Sequence, residues 1–239
     1  KFQTFLPGEL TGDFAVNPDY IKESKSFKLK RSELTKKLAL TFGEFKKIKK
    51  YCEKKKIIFI STPDGTESLN FLVKSLKVSF LKISSTELTN LEFLKEIAKK
   101  KKVTLLSTGI GNIKDVERAV RQIKKYNKKL VLMQCTSEYP APLNEMNINV
   151  LKTYKKKFKC QIGLSDHSEG NEAALASITL GARFIEKHFT INKKMRGPDH
   201  NASLNSNELT NFIKSIKNIE QVLGSEKKEI TKSEQKNIF

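Results

Sequence analysis

From Ile57 onward the sequence alternates short apolar runs with amphipathic segments, and the runs recur every ~20 to 30 residues, the length of one β/α unit. Few architectures satisfy that rhythm. Strands are expected at Ile57 to Ser61, Val78 to Ser84, Val103 to Ser107, Leu130 to Cys135, Gln161 to His167 and Ala182 to His188. These runs are largely continuous in apolar character, and Ile57 to Ser61 in particular reads as a strand buried on both sides. Continuous runs of this kind mark a parallel sheet covered by helices.

Helices are expected over residues 42–55, 67–76, 91–99, 149–158, 172–180 and 208–223, with one more opened by Asn112 and Asp115. Thr41 with Glu44 makes a capping-box pattern, and Gly181 and Gly224 stand where helix C-termini favour glycine. The last helix is expected to turn Leu209, Phe212, Ile213 and Ile216 inward. The opening run KFQTF reads as the end of a seventh strand, and residues 6–40 as a long loop with short helical pieces.

Seven strands in βα alternation predict an α/β fold, a (β/α)8 TIM barrel lacking one member, with an open doubly wound sheet as the alternative. No G-x-G-x-x-G and no G-x-x-x-x-G-K-[ST] follows any strand, which argues against the nucleotide-binding versions of either fold. Lys1 begins the chain inside a strand-like run, so upstream sequence is expected. The domain expectation is a partial barrel over residues 1–224, then a polar, charged linker over 225–239 leading toward a further domain.

The formal charge of +20 invites a nucleic-acid reading. Only five of the 46 basic residues are arginine, and the lysines fall in runs such as Lys46 to Lys56, Lys99 to Lys102 and Lys155 to Lys159. Bidentate base and phosphate readers use arginine, and single-strand binders interleave aromatics with charge. Neither pattern occurs, so solvated helix faces explain the runs and no specific nucleic-acid partner is expected. Cys52, Cys135 and Cys160 are too few and too scattered for a disulfide framework, which points to a reducing, cytoplasmic setting. No apolar run approaches the roughly 18 residues of a membrane span.

Residues at the carboxyl ends of the expected strands carry the functional signal, because loops leaving that edge form the ligand site in parallel α/β folds. They include Lys1, Gln3, Thr4, Ser61, Thr62, Lys82, Ser85, Glu87, Ser107, Thr108, Thr136, Ser137, Tyr139, Ser165, Asp166, His167 and His188. Hydroxyls with one or two lysines suit a phosphate, which needs several hydrogen bonds and a compensating charge. Lys82 lies within an apolar strand and needs an anionic partner, either a ligand or a structural ion pair with Glu87 or a neighbouring carboxylate. Glu87 is the candidate for proton transfer. His167 and His188 arrive at equivalent strand ends, and paired imidazoles suggest a divalent metal.

Several of these runs together carry a resemblance. KFQTF, STP at Ser61 to Pro63, KISSTELTN at Lys82 to Asn90, LLSTG at Leu105 to Gly109, QCTSEYPAP at Gln134 to Pro142, GLSDH at Gly163 to His167, EKHFT at Glu186 to Thr190 and GPDHNASL at Gly197 to Leu204 resemble the sialic acid synthase family, nearly over the whole chain and in the family's order. The resemblance implies an enzyme that condenses phosphoenolpyruvate with an N-acylated hexosamine in the presence of a divalent metal, Mn2+ or Mg2+. It implies a TIM barrel followed by a small domain that reaches into the partner's site in a homodimer, with this chain starting near the family's second strand. On that footing the chain alone is expected to turn over weakly or not at all.

Residue by residue, the resemblance implies His167 and His188 as metal ligands. It implies Lys1, Thr62, Lys82, Ser85, Ser107, Ser137 and Ser165 around phosphoenolpyruvate, with Gln3, Glu87, Tyr139 and Asp199 facing the sugar. The chain departs from the family at Ser84 or Thr86, where a glycine is usual, at Gln134, where a histidine is common, and at Ser137, an asparagine in some members. A Schiff-base aldolase acting through Lys82 and a basic nucleic-acid-binding module stand as competing readings.

Overall fold

The computed structural model describes residues 1–6, 31–195, 197 and 199–238. Most of the loop expected over 6–40 lies outside them, and where description resumes the chain forms helix α1, Arg31–Leu38. The strands are β1 Phe2–Thr4, β2 Ser61–Pro63, β3 Phe80–Ile83, β4 Val103–Ser107, β5 Leu130–Cys135, β6 Gln161–Asp166 and β7 Phe184–Lys187. The helices that alternate with them are α2 Phe42–Lys54, α3 Thr66–Asn70, α4 Leu91–Lys99, α5 Ile113–Lys124, α6 Val150–Phe158, α7 Glu172–Thr179 and α8 Ser206–Leu223. A π-helical turn, Phe71–Ser75, extends α3.

All seven strands are parallel and neighbour one another in sequence order. That order already excludes a doubly wound sheet, which reverses direction at a switch point. Curvature decides the rest. Six spacings of about 4.8 Å would leave the edges of a flat seven-stranded sheet about 29 Å apart. Lys1, preceding β1, instead places its Nζ 3.2 Å from Glu186 Oε1 on β7. The sheet is therefore curled as in a barrel, with its first and last strands brought together.

Side-chain alternation sorts the strands into two faces. Outside, Leu81, Ile83, Leu106, Leu132 and Ile162 pack with Leu72, Leu94, Ile97, Val116 and Ile123 from the surrounding helices in one buried cluster. Each such side chain contributes about 1.5–3 kcal/mol by leaving water. Inside, Leu105, Val131 and Met133 form a smaller cluster against Phe80, Val103 and Phe184. This inner layer is the floor on which the polar residues of the carboxyl edge stand.

Two expectations need correction. The strand expected at Ile57 to Ser61 begins only at Ser61, and Ile57 and Ile58 are exposed. The first rung of the β1–β2 ladder pairs Phe2 with Ser61, so residues 57–59 lie beyond it; only Phe59 reaches the core, stacked on Phe2. On α8, Phe212 is buried as expected, with Leu209 and Ile216 packed against the same cluster, but Ile213 is exposed. That helix meets the rest of the molecule mainly through the alanine-rich α7, a narrow contact that leaves room for fewer apolar positions. Residues 225–238 are exposed throughout.

Candidate active site

Strand parity decides which polar residues can share a ligand. Thr4 and Ser61 hydrogen-bond each other at 2.8 Å in the outer layer, Thr108 donates to the Met133 carbonyl and accepts from Tyr154, and Thr136 donates to the Glu145 carbonyl. Gln134 is buried toward α6, between Tyr154 and the Met146 carbonyl. These groups are satisfied away from the barrel interior. By the same alternation Lys1, Gln3, Thr62, Lys82, Ser107 and Ser165 turn inward.

Lys82 is the centre of the inward set. Its side chain is 3 % exposed, and Nζ donates to Ser107 Oγ at 2.6 Å and to the Ile83 carbonyl at 3.0 Å. The carboxylate that faces it is Glu186, 3.8 Å away, not Glu87. Glu186 also accepts from Lys1 at 3.2 Å and from Ser165 Oγ at 3.3 Å. Burial pushes the Lys82 pKa down to about 8, with Glu186 opposing that shift and Lys1 adding to it. Burial alone would raise Glu186, yet Lys82 and Lys1 together hold it down at about 2. The cluster sets two lysines, exposed Lys1 and buried Lys82, against one carboxylate.

Beside this cluster the hydroxyls of Ser85 and Ser137 converge on Gly109. The Gly109 amide donates to Ser85 Oγ at 3.0 Å, and a Cβ at Gly109 would stand 2.2 Å from Ser137 Oγ and 2.9 Å from Ser85 Oγ. Only a glycine lets both hydroxyls approach the backbone this closely, with its N–H bonded to one of them.

The two histidines are the first residues beyond β6 and β7, and their ring centroids lie 5.4 Å apart at 79°. Tyr139 stacks on His167 at 4.1 Å and tilts against His188 at 5.3 Å. His167 Nδ1 sits 2.8 Å from the Thr136 carbonyl, which can only accept, so Nδ1 carries the proton and Nε2 keeps its lone pair. Burial lowers the pKa of both rings, which keeps them neutral and able to bind a cation. Asp199 Oδ2 lies 3.6 Å from His188 Nδ1, while Asp199 Oδ1 is buried with no hydrogen-bond partner among the described residues. Among the described residues no three His, Cys, Asp or Glu side chains form a ready metal cluster. Two neutral imidazoles beside an unpartnered carboxylate oxygen nevertheless fit a cation whose remaining positions are taken by water or substrate. The third histidine, His200, is held by Thr190 at 2.8 Å.

Glu87 ends a short 3-10 turn, Ser85–Glu87, and accepts from Asn90 at 2.8 Å. It lines a cavity of about 640 Å³ together with Asp64, Thr66 and Asn90. Asp64 was not foreseen. Burial, then the Glu87 charge, push its carboxyl up to about 7, and its Oδ2 is buried without a partner among the described residues. Glu186 was also missed, although it precedes His188 by two residues and so shares its face. That spacing was the available signal.

Residues 1–228 match the NeuB family model. The chain belongs to the NeuB family. Among its relatives, N,N'-diacetyllegionaminic acid synthase of Campylobacter jejuni is 39% identical over 241 residues, covering 100% of this chain and 72% of that one. The corresponding enzyme of Legionella pneumophila is 35% identical, with 98% and 67% covered. The crystal structure of N-acetylneuraminic acid (sialic acid) synthetase from Leptospira borgpetersenii, in complex with citrate, superposes with a TM-score of 0.81 at 33% identity, covering 86% of this chain and 72% of that one. This NeuB chain is thus similar to synthases of nine-carbon acidic sugars in both sequence and fold.

Proposed function

We propose that this NeuB chain is the barrel of a synthase that joins phosphoenolpyruvate to an N-acetylated, N-acetylmannosamine-like hexosamine, releasing phosphate and a sialic acid-type nonulosonic acid. The observation that carries this reading is the net-positive Lys1–Lys82–Glu186 cluster, with buried Lys82 hydrogen-bonded to Ser107, beside two neutral histidines. A doubly charged phosphate with a neighbouring carboxylate suits the first part, and an aldehyde oxygen suits the second.

In the reaction the enol carbon of phosphoenolpyruvate attacks the aldehyde carbon of the open-chain sugar. Water adds to the resulting cationic carbon, and the tetrahedral intermediate expels phosphate. Lys1, Lys82, Thr62 and the serines hold the phosphate and carboxylate; Ser165 orients Glu186. Gln3, Tyr139 and Asp199 face the sugar, and Glu87 moves the proton. A divalent cation held by His167 and His188, Mn2+ or Mg2+, would supply Lewis-acid polarisation of the aldehyde. The relatives' names favour a diacetamido sugar as the acceptor.

The test is phosphate release from phosphoenolpyruvate with N-acetylmannosamine and with diacetamido-trideoxyhexoses, in the protein at the length of its relatives. Activity is expected to need Mn2+ or Mg2+, to vanish with a chelator, and to fall at least a thousandfold in His167→Ala or His188→Ala. Chelator-insensitive release would refute the metal-dependent reading. A second reading rests on the Lys82 ammonium, whose pKa of about 8 suits a Schiff-base amine. Borohydride trapping of a pyruvate adduct at Lys82 would favour it.

A further inference from the structure

Behind the two histidines, on the outer face of the sheet, lies an ion pair that the reaction does not use. Lys187 Nζ donates to Asp166 Oδ2 at 2.8 Å, and the two side chains are 5 % and 0 % exposed. Asp166 and Lys187 face each other across the final rung of the β6–β7 ladder. Each is followed immediately by a histidine, so the pair sits where ladder hydrogen bonds stop and the candidate ligands begin.

Further bonds tie the pair to the backbone around His167. Asp166 Oδ1 accepts from the Ser168 amide at 2.9 Å and from Ser168 Oγ at 2.7 Å. Lys187 Nζ also donates to the Ser168 carbonyl at 3.0 Å. Lys187 is therefore bonded to the residue before His167 and to the residue after it, and its own C-terminal neighbour is His188. A buried ion pair of this kind adds little net stability, since desolvating both charges offsets most of their attraction. What it supplies is a fixed distance and direction.

We propose that Asp166 and Lys187 are positioning residues that set the separation of His167 and His188 and so the affinity of the site for a divalent cation. This rests on the reading of the histidines given above. The wild-type chain and three variants are compared by titration with Mn2+, read by calorimetry, with thermal melting as the control for folding. His167→Ala tests the histidine reading itself and is expected to abolish binding.

The double variant Asp166→Leu with Lys187→Met keeps the branched and the unbranched side-chain shape in turn and leaves no buried charge unpaired. It is expected to melt within a few degrees of wild type yet bind Mn2+ about tenfold to a hundredfold more weakly, as loss of groups that orient metal ligands does. Wild-type affinity in that variant overturns the proposal. If the double variant does not fold, Asp166→Asn serves instead: one amide oxygen cannot hold both Ser168 and Lys187, so a severalfold loss of affinity is expected, and unchanged affinity overturns the proposal. Should wild type bind no Mn2+, the histidine reading fails, and metal-free crystal structures judge the clamp alone. Rings still 5.4 Å apart in the double variant refute it, and splayed rings support it.

Discussion

Asp64 and Glu186 show how two carboxyl groups take opposite pH behaviour from their surroundings. Asp64 is raised from 3.8 to about 7, so the folded state holds a proton that the unfolded state releases. Stability from this group is therefore fully present below pH about 4 and falls as pH rises toward about 7. Asp64→Asn should remove that slope and be the more stable protein at pH 8, by on the order of 2–4 kcal/mol, with no advantage at pH 4; melting temperatures across that range give the answer. Glu186 is depressed from 4.5 to about 2, so its contribution is present above about 4.5 and lost as pH falls toward 2. Glu186→Gln should lack this acid limb in urea denaturation. At pH 7 it should be destabilised by about 3 kcal/mol, because Lys82 then stays buried without its opposing charge. Neither residue was singled out from the sequence: Asp64 reads as turn chemistry after STP, and Glu186 as part of EKHF. What makes each unusual is set by tertiary packing: burial and then the Glu87 charge for Asp64, and the Lys82 and Lys1 charges for Glu186.

At the scale of elements, local signals were reliable wherever local chemistry decides. The Thr41–Glu44 capping box at α2 is present with both reciprocal bonds, and Asn112 caps α5 with Asp115 in the same way. Gly181, just past α7, has φ of 94°, the left-handed geometry its position at the helix end required. A third box was not anticipated: Asn205 caps α8 by accepting from the Asn207 and Glu208 amides, while Glu208 reaches back to the Asn205 amide. Asn205→Ala should cost about 1 kcal/mol in chemical denaturation, and since Leu204 pairs by its amide with the His188 carbonyl, the loss should be accompanied by faster amide exchange there. Where pairing decides, the sequence misled. Ile57 and Ile58 look like strand interior, yet a strand needs a partner at its own register, and the β1 ladder reaches only Ser61.

Across the whole molecule, charge and site separate. The lysine runs sit largely on exposed helix faces, while the two inward lysines that matter, Lys1 and Lys82, share one carboxylate at the carboxyl edge. With a net charge of +20 the chain should bind single-stranded DNA weakly and without sequence preference. Fluorescence anisotropy should show that binding lost between about 50 and 200 mM salt and unchanged by His188→Ala; binding that survives such salt would restore the nucleic-acid reading. Among the described residues no helix is long and apolar enough to cross a membrane.

The sequence by itself determined the βα order, the parallel sheet and the arrival of His167 and His188 at the same edge, because periodicity and turn chemistry are local properties. Tertiary structure alone decided which of many polar strand-end residues face one another. Curling the sheet brings residue 1 to residue 186, and the two-residue alternation of each strand sends Ser107 and Ser165 inward but Thr108 and Asp166 outward. A one-residue difference in register would exchange those two sets, and nothing local to any strand fixes that register.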